Sequence, residues 1–251
     1  MQKQEEKHYF GNFGIRKIVR TAMLMGCILW ILVLAGCGKE EALPETEDED
    51  GDIRHSTEDG LFRSLDATVE VAAGGLYGSG VIYEQGEKGL ILVTAGHVIS
   101  EDVDDINVTF RDGSQVKCSG FTRAEDADCV FFTAAYEDMP TEWQENYGTV
   151  IKDRQRFDAL ECEKGVFLAD RQAENELGCR FALVVDSWIY VEDFSQHMIL
   201  LSGQAHAGMS GCGVFDGEGC FLGILCGGND EGELAVLPYS VIESCYRMIF
   251  D

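Results

Sequence analysis

The feature that most constrains the fold is a long series of short apolar segments separated by glycine-containing turns, which occupies the chain from residue 61 onward. Short runs rich in Val, Ile, Leu and Phe predict β-strands, and pairs such as Asp112-Gly113 between them predict tight turns. The predicted strands are residues 67–73, 78–84, 89–95, 106–110, 115–121, 129–135, 165–170, 180–192, 197–203, 212–216, 220–227 and 233–238. So many strands with so few helical segments predict an all-β barrel or sandwich.

Two stretches depart from this pattern. Residues 239–250, YSVIESCYRMIF, carry apolar side chains at helical spacing and predict a short C-terminal helix. Residues 136–160 are polar and show no clear periodicity, so their structure is left open.

The N-terminal residues predict export rather than a part of the fold. Basic residues extend to Arg20, and an uncharged apolar run follows at 21–36. This run is short for a membrane span and suits the core of a signal peptide. It ends in LAGC, residues 34–37, which resembles the lipobox of bacterial lipoproteins and implies a lipid on Cys37. The alternative is an uncleaved N-terminal helix. In both cases the positive charges stay inside and the remaining chain lies on the outer face of the bacterial cytoplasmic membrane.

The charge distribution divides the chain further. Residues 38–60 hold ten acidic and two basic side chains, which predicts that 37–60 is a solvated tether. The domain boundaries are therefore a signal segment at 1–36, the tether, and a folded domain at 61–251. The whole chain has a formal charge of −26, which repels nucleic acid, so we expect no nucleic-acid partner.

Residues suited to nucleophilic catalysis lie at the ends of predicted strands. A serine hydroxyl becomes a nucleophile when a base lies within hydrogen-bond reach and a carboxylate orients that base. Ser210 lies in the glycine-rich sequence GMSGCG. His97 ends an apolar strand in TAGH, which suits the base. His197 suits a half-exposed strand position, and His206 suits a loop residue near the site better than a base.

Three motifs carry a family resemblance. TAGH at 94–97, DADCVFF at 126–132 and GMSGCG at 208–213 resemble the motifs of trypsin-like (chymotrypsin-fold) serine proteases, in that family's order. The resemblance covers about residues 64–245. It implies two six-stranded antiparallel β-barrels, at about 64–135 and 160–240, with a short C-terminal helix.

The resemblance also implies an activity, that of a serine endopeptidase that cleaves peptide or protein substrates through an acyl-enzyme. His97 would be the general base, Asp128 would orient it, and Ser210 would be the nucleophile. Asp126 is the rival carboxylate, but the apolar run begins directly after Asp128. The backbone N–H groups of Gly208 and Ser210 would form the oxyanion hole. We expect no cofactor and no metal.

Substrate recognition follows less directly. By the same resemblance, an extended peptide would pair with LCGG, so Cys226, Gly227 and Gly228 would bind substrate. Gln204 would lie near the floor of the specificity pocket, which suggests an apolar or small substrate side chain. Met209 replaces the aspartate that pairs with a new amino terminus in secreted trypsins, so the chain resembles the bacterial branch of the family.

The cysteines leave a question open. Eight follow Cys37, and several lie in apolar strand runs, so we expect mostly free thiols with at most one or two disulfides. Cys212 is two residues from Ser210, and it fits packing, a disulfide or a redox brake on the nucleophile.

Two other functions compete with the peptidase. One is a catalytically quiet, protease-like lipoprotein that binds peptides or senses envelope stress. The other is a non-peptidase hydrolase on the same scaffold, for which the sequence offers no support. The complete set of His97, Asp128 and Ser210 favours an active enzyme over the quiet module.

Overall fold

The structure, a computed structural model, describes residues 60–103, 105–139, 148–173 and 178–250. The expected signal segment, the lipidation site at Cys37 and residues 37–59 of the tether lie outside the described residues. Within the described ranges, no helix combines the length and the apolar character that a bilayer span requires.

The strands form two antiparallel units. The first is a sheet with the order β5-β4-β1-β2-β3-β7-β6. Its strands are β1 (Thr68–Ala73), β2 (Leu76–Gln85), β3 (Gly89–Ala95), β4 (Asp105–Thr109), β5 (Gln115–Ser119), β6 (Phe121–Arg123) and β7 (Cys129–Ala135). The second is a closed barrel with the order β10-β13-β12-β11-β8-β9. Its strands are β8 (Gly165–Ala169), β9 (Cys179–Val191), β10 (Gln196–Ser202), β11 (Gly213–Phe215), β12 (Phe221–Gly228) and β13 (Glu233–Pro238).

The first unit has seven strands because the strand predicted at 115–121 is divided at Gly120. That residue adopts φ +76°, a conformation that favours glycine, and it separates β5 from β6. The two strands lie at opposite edges of the sheet order, yet a single residue joins them, and β5 also contacts β7. The sheet is therefore curled into a half-barrel, and the predicted all-β, two-barrel fold class is confirmed.

Helices are short and few among the described residues. Residues 60–66 form α1, which precedes β1. Within the region that the sequence left open, α2 (Arg154–Asp158) begins after Asp153, whose carboxylate accepts hydrogen bonds from the backbone N–H groups of Gln155 and Arg156. The predicted C-terminal helix is present as α3 (Tyr239–Phe250).

An aromatic cluster joins the two units to α3. Tyr83 of β2 is fully buried, and its ring lies 5.1 Å from Tyr246 of α3 and 6.2 Å from Phe221 of β12. Phe131 of β7 lies 5.9 Å from both Tyr83 and Tyr246. The Tyr83 hydroxyl donates a hydrogen bond to Glu243. This cluster fixes the orientation in which the first sheet meets the barrel.

Replacing Tyr83 with alanine should lower the free energy of unfolding by about 3–5 kcal/mol, because it empties a buried aromatic site and removes one of the donors to Glu243. Urea unfolding followed by circular dichroism measures this change. Tyr77 lies on the same strand but is 76% exposed, so Tyr77→Ala is the matched control, with an expected change within about 0.5 kcal/mol. Equal losses in the two variants would contradict the assigned role of the cluster.

Candidate active site

His97 lies at the point where β3 ends. The strand is buried along its whole length and runs into a 3-10 turn at Gly96–Val98, which carries the His97 side chain out of the sheet. Arg123 of β6 fixes this turn, because its guanidinium donates to the carbonyl of Gly96 at 2.7 Å and to that of Ile99 at 2.5 Å. Arg123 therefore holds the backbone on both sides of His97.

Asp128 precedes β7, the neighbour of β3, and it holds both the ring and the backbone of His97. Its Oδ2 lies 2.8 Å from His97 Nδ1, and its Oδ1 accepts from the His97 backbone N–H at 3.0 Å. Its carbonyl accepts from the Gly96 N–H at 3.0 Å. Asp126 lies elsewhere, lining a cavity of about 420 Å³ beside α3. The carboxylate that contacts His97 is thus that of Asp128.

The charge state of this pair follows from its surroundings. Burial opposes ionisation of Asp128, but its hydrogen bonds with His97 and the attraction of that ring outweigh burial and hold the pKa of Asp128 below its usual value. An ionised carboxylate only accepts hydrogen bonds, so His97 Nδ1 carries a proton. In the neutral ring, Nε2 then presents its lone pair and can serve as a base. The two side chains remain 28% and 22% exposed, so the ring is reachable from solvent.

Ser210 lies in the loop before β11, and that loop packs against the first sheet. The backbone N–H of Ser79 on β2 donates to the Ser210 carbonyl at 2.8 Å. Gly78 lies between the Val98 side chain and this carbonyl, because a Cβ on Gly78 would be 2.7 Å from Val98 and 3.0 Å from Ser210 O. The structure thus brings Ser210 next to the turn that carries His97.

Gly211 permits this close approach. It has φ +85°, and a Cβ at this position would lie 2.1 Å from Ser79 O and 2.3 Å from Thr94 Oγ1. Any larger residue would push the loop away from the strand that leads to His97. The glycine after the serine is therefore required by contact between the two units as well as by backbone conformation.

The loop also presents two backbone donors. Gly208 has φ +95°, and its carbonyl accepts from the Ser79 hydroxyl at 2.9 Å. Met209 N–H donates back to His206 O at 3.2 Å, and the Met209 side chain is buried. Within the described part of the chain, no backbone acceptor engages the N–H of Gly208 or of Ser210. These are the two N–H groups that the family resemblance assigns to an oxyanion hole.

The other two described histidines have different partners. His206 Nε2 lies 3.1 Å from Asp170 Oδ2, at the end of β8. His197 stacks on Trp188 with ring centroids 5.1 Å apart. Of the three histidines, His97 is the one that the structure pairs with Asp128.

The residues expected to bind substrate fall in two places. β12 pairs with β13 as far as Gly228 but with β11 only as far as Ile224, so Cys226, Gly227 and Gly228 have no strand partner on that edge among the described residues. Gln204 is exposed and lines a cavity of about 700 Å³ with residues that include Arg180 and Phe181. That cavity's described lining does not include residues 226–228.

The eight described cysteines are free thiols. Cys212 is fully buried, and burial raises its pKa, so the thiol stays protonated and acts as a small apolar side chain. Cys226 is also buried, and its Sγ lies 3.7 Å from the Asp128 carbonyl. In the described ranges, no three His, Cys, Asp or Glu side chains come together as a possible metal site.

Several residues of the site had no signal in the sequence. Ser79 lies in β2 and Arg123 ends β6. The contact of Ser79 depends on how β2 meets the loop before β11, and those of Arg123 depend on how β6 meets the turn after β3. Asp170 ends an apolar strand, as Asp128 precedes one, but no motif surrounds it.

Comparisons with known proteins add evidence on the fold. No protein-family model and no curated protein matches the chain.

Among solved structures, the HtrA-type protease AlgW with a tripeptide superposes with a TM-score of 0.61 at 16% identity, covering 78% of this chain and 64% of that one. A variant of AlgW with a tripeptide gives a TM-score of 0.62 at the same identity and coverage. The inactive form of the Rv3671c protease gives 0.60 at 12% identity, covering 83% of this chain and 100% of that one. This chain thus spans 64% of the length of the AlgW chains that it matches. The chain therefore shares the two-barrel fold of these proteases.

Proposed function

We propose that this protein is a serine endopeptidase that is anchored to the outer face of a bacterial cytoplasmic membrane. The observation that carries the proposal is the 2.8 Å hydrogen bond between His97 Nδ1 and Asp128, at a strand end against which the Ser210 loop packs. The fold alone hosts many functions, so the chemistry is argued from these side chains.

The first half of the reaction forms an acyl-enzyme. Ser210 Oγ attacks the scissile carbonyl carbon while His97 Nε2 takes the hydroxyl proton. Asp128, ionised and bonded to Nδ1, stabilises the imidazolium that results. As the C–N bond breaks, His97 returns the proton to the leaving amine, and the acyl group remains on Ser210. A water molecule then attacks the acyl carbon while His97 takes its proton. His97 returns that proton to Ser210 Oγ as the carboxylic acid is released.

The negative charge of the tetrahedral intermediate needs donors that are already in place. The N–H groups of Gly208 and Ser210 suit this role, since the described backbone leaves both without an acceptor. In comparable sites one such donor lowers the barrier by about 3 kcal/mol. The Ser79 hydroxyl, through its bond to Gly208 O, holds the turn that presents them.

A peptide substrate would bind in extended form. The edge at Cys226, Gly227 and Gly228, which lacks a strand partner among the described residues, would accept it as an added strand. This mode uses main-chain hydrogen bonds, so it suits many sequences, and side-chain selection is left to the pockets around it.

The labelling reaction with a fluorophosphonate probe tests the activity without knowledge of the substrate. We expect the wild-type protein to form a covalent adduct of one probe on Ser210, and Ser210→Ala to form none, because the probe requires an activated serine. Intact-protein mass spectrometry measures both results.

Unfolding curves that match between the two proteins serve as the control. A correctly folded wild-type protein that forms no adduct, with or without reductant, would reject the peptidase and favour the quiet peptide-binding module.

The anchor is tested separately. We expect the protein extracted from membranes to begin at Cys37 and to carry a diacylglycerol on its sulfur, because LAGC resembles a lipobox. Mass spectrometry of the N-terminal peptide measures this, and Cys37→Ser should abolish the modification. An intact Met1 end with an unmodified Cys37 would point instead to an uncleaved helix.

A further inference from the structure

A second His–Asp pair lies beside the nucleophile loop. Asp170 closes β8, is 3% exposed, and is one of two buried carboxylates among the described residues, the other being Asp216. Its Oδ2 accepts from Arg180 Nε at 2.5 Å and lies 3.1 Å from His206 Nε2. Its Oδ1 accepts from the backbone N–H of Gln172 at 2.9 Å. The carboxylate is therefore fixed by the β8–β9 hairpin and reaches across to the loop that precedes Ser210.

Asp170 is ionised in this setting. Burial opposes the charge, but Arg180, the Gln172 N–H and His206 outweigh burial and hold the pKa of Asp170 below its usual value. Loss of a hydrogen bond to a buried carboxylate is costly, because part of its charge is then unpaired. The donors around Asp170 are therefore held firmly in place.

The ring of His206 stands between two acceptors. Nε2 faces the Asp170 carboxylate, and Nδ1 lies 2.8 Å from the backbone carbonyl of Ala207. A carboxylate and a carbonyl both accept only, so both hydrogen bonds exist together only when both ring nitrogens carry hydrogen. The neutral ring satisfies one of the two. The complete arrangement therefore requires the imidazolium form of His206.

This arrangement bears on the oxyanion donors. His206 begins the turn in which Met209 N–H donates to His206 O, and Gly208 lies within that turn. The far side of the turn is held by Ser79, through Gly208 O and Ser210 O. The near side is held by the side chain of His206.

We propose that Asp170 and protonated His206 form a latch that positions the Gly208 turn, so that the oxyanion hole is intact only while His206 carries its proton. Both are positioning residues, and neither touches the reacting atoms. The inference rests on the proposed serine chemistry. It requires a protonation state of His206 opposite to the one that His97 needs as a base. His97 must be neutral to accept a proton, whereas His206 must be charged to hold the turn.

The other ionisable groups around His206 are few among the described residues. Asp170 and Arg171 of the β8–β9 hairpin, Glu70 of β1 and Tyr77 of β2 line the same cavity as His206. Arg180 and Cys179 of β9, and Cys212 from the segment after Ser210, face its partner Asp170. Arg171 is held by the first sheet, where it donates to the carbonyls of Thr109 and Phe110.

The test is the second-order rate of fluorophosphonate labelling as a function of pH. In the wild-type protein the rate should rise with pH, because the base must be neutral, and fall again at higher pH, because the latch must be charged. His206→Gln should remove the fall and label about ten- to a hundred-fold more slowly at the optimum, because one charge-assisted hydrogen bond is gone. His206→Arg keeps the charge and should restore the rate without the alkaline fall. The matched control is His197→Gln, because His197 stacks on Trp188 away from the Asp170 pair, and this variant should reproduce the wild-type profile.

A readout without chemistry separates the latch from the enzyme. Over the same alkaline range, the protection factors of the amides at residues 206–210, which are the intrinsic exchange rates divided by the observed ones, should fall in the wild-type protein. They should not fall in His206→Arg. A wild-type protein that labels at no pH would reject the proposed function, while the exchange data would still decide the latch. An alkaline fall that persists in His206→Gln, or exchange that follows the same pH course in wild type and His206→Arg, would overturn the latch.

Discussion

The site depends on one hydrogen bond, that between the Asp128 carboxylate and His97 Nδ1. It joins the ends of two neighbouring strands, and the register of β3 against β7, with Ala95 opposite Cys129, sets its geometry. A slip of one residue would turn the Asp128 side chain to the other face of the sheet. The buried apolar residues of β3 and β7 prevent that slip, so the core of the first sheet determines the state of the candidate base.

Ser210 belongs to the other unit, and glycines let its loop pack against the first sheet close to the turn that carries His97. Gly78 on the first sheet and Gly211 in the nucleophile loop allow backbone to approach backbone, while Ser79 holds the loop through its N–H and its hydroxyl. The aromatic cluster around Tyr83 also holds the first sheet against the barrel. The candidate active site is thus a property of the interface between the sheet and the barrel rather than of either unit.

Much of the fold could be predicted from the sequence, because strands such as β3 and β7 are continuous apolar runs bounded by turn residues. The division of the predicted strand at Gly120 could not, since a single glycine in a polar edge strand fits either a strand interior or a bend. The sequence motifs selected His97, Asp128 and Ser210 as a set, and their placement follows from local strand ends. Arg123, Ser79, Asp170 and Arg180 were not predicted, because their contacts join segments distant in sequence or lie in a hairpin without a motif. Gln204, expected near the floor of the specificity pocket, is exposed, and its exposure depends on tertiary packing that the sequence does not show.

The roles of the two acidic residues before β7 give the most direct measurement. Asp128→Asn and Asp126→Asn differ by two positions in the chain, and only the first removes the carboxylate that orients His97. The rate of fluorophosphonate labelling should fall about ten-thousand-fold in Asp128→Asn and stay at the wild-type value in Asp126→Asn. Full reactivity of a folded Asp128→Asn protein, or a comparable loss in Asp126→Asn, would contradict the assignment of this triad.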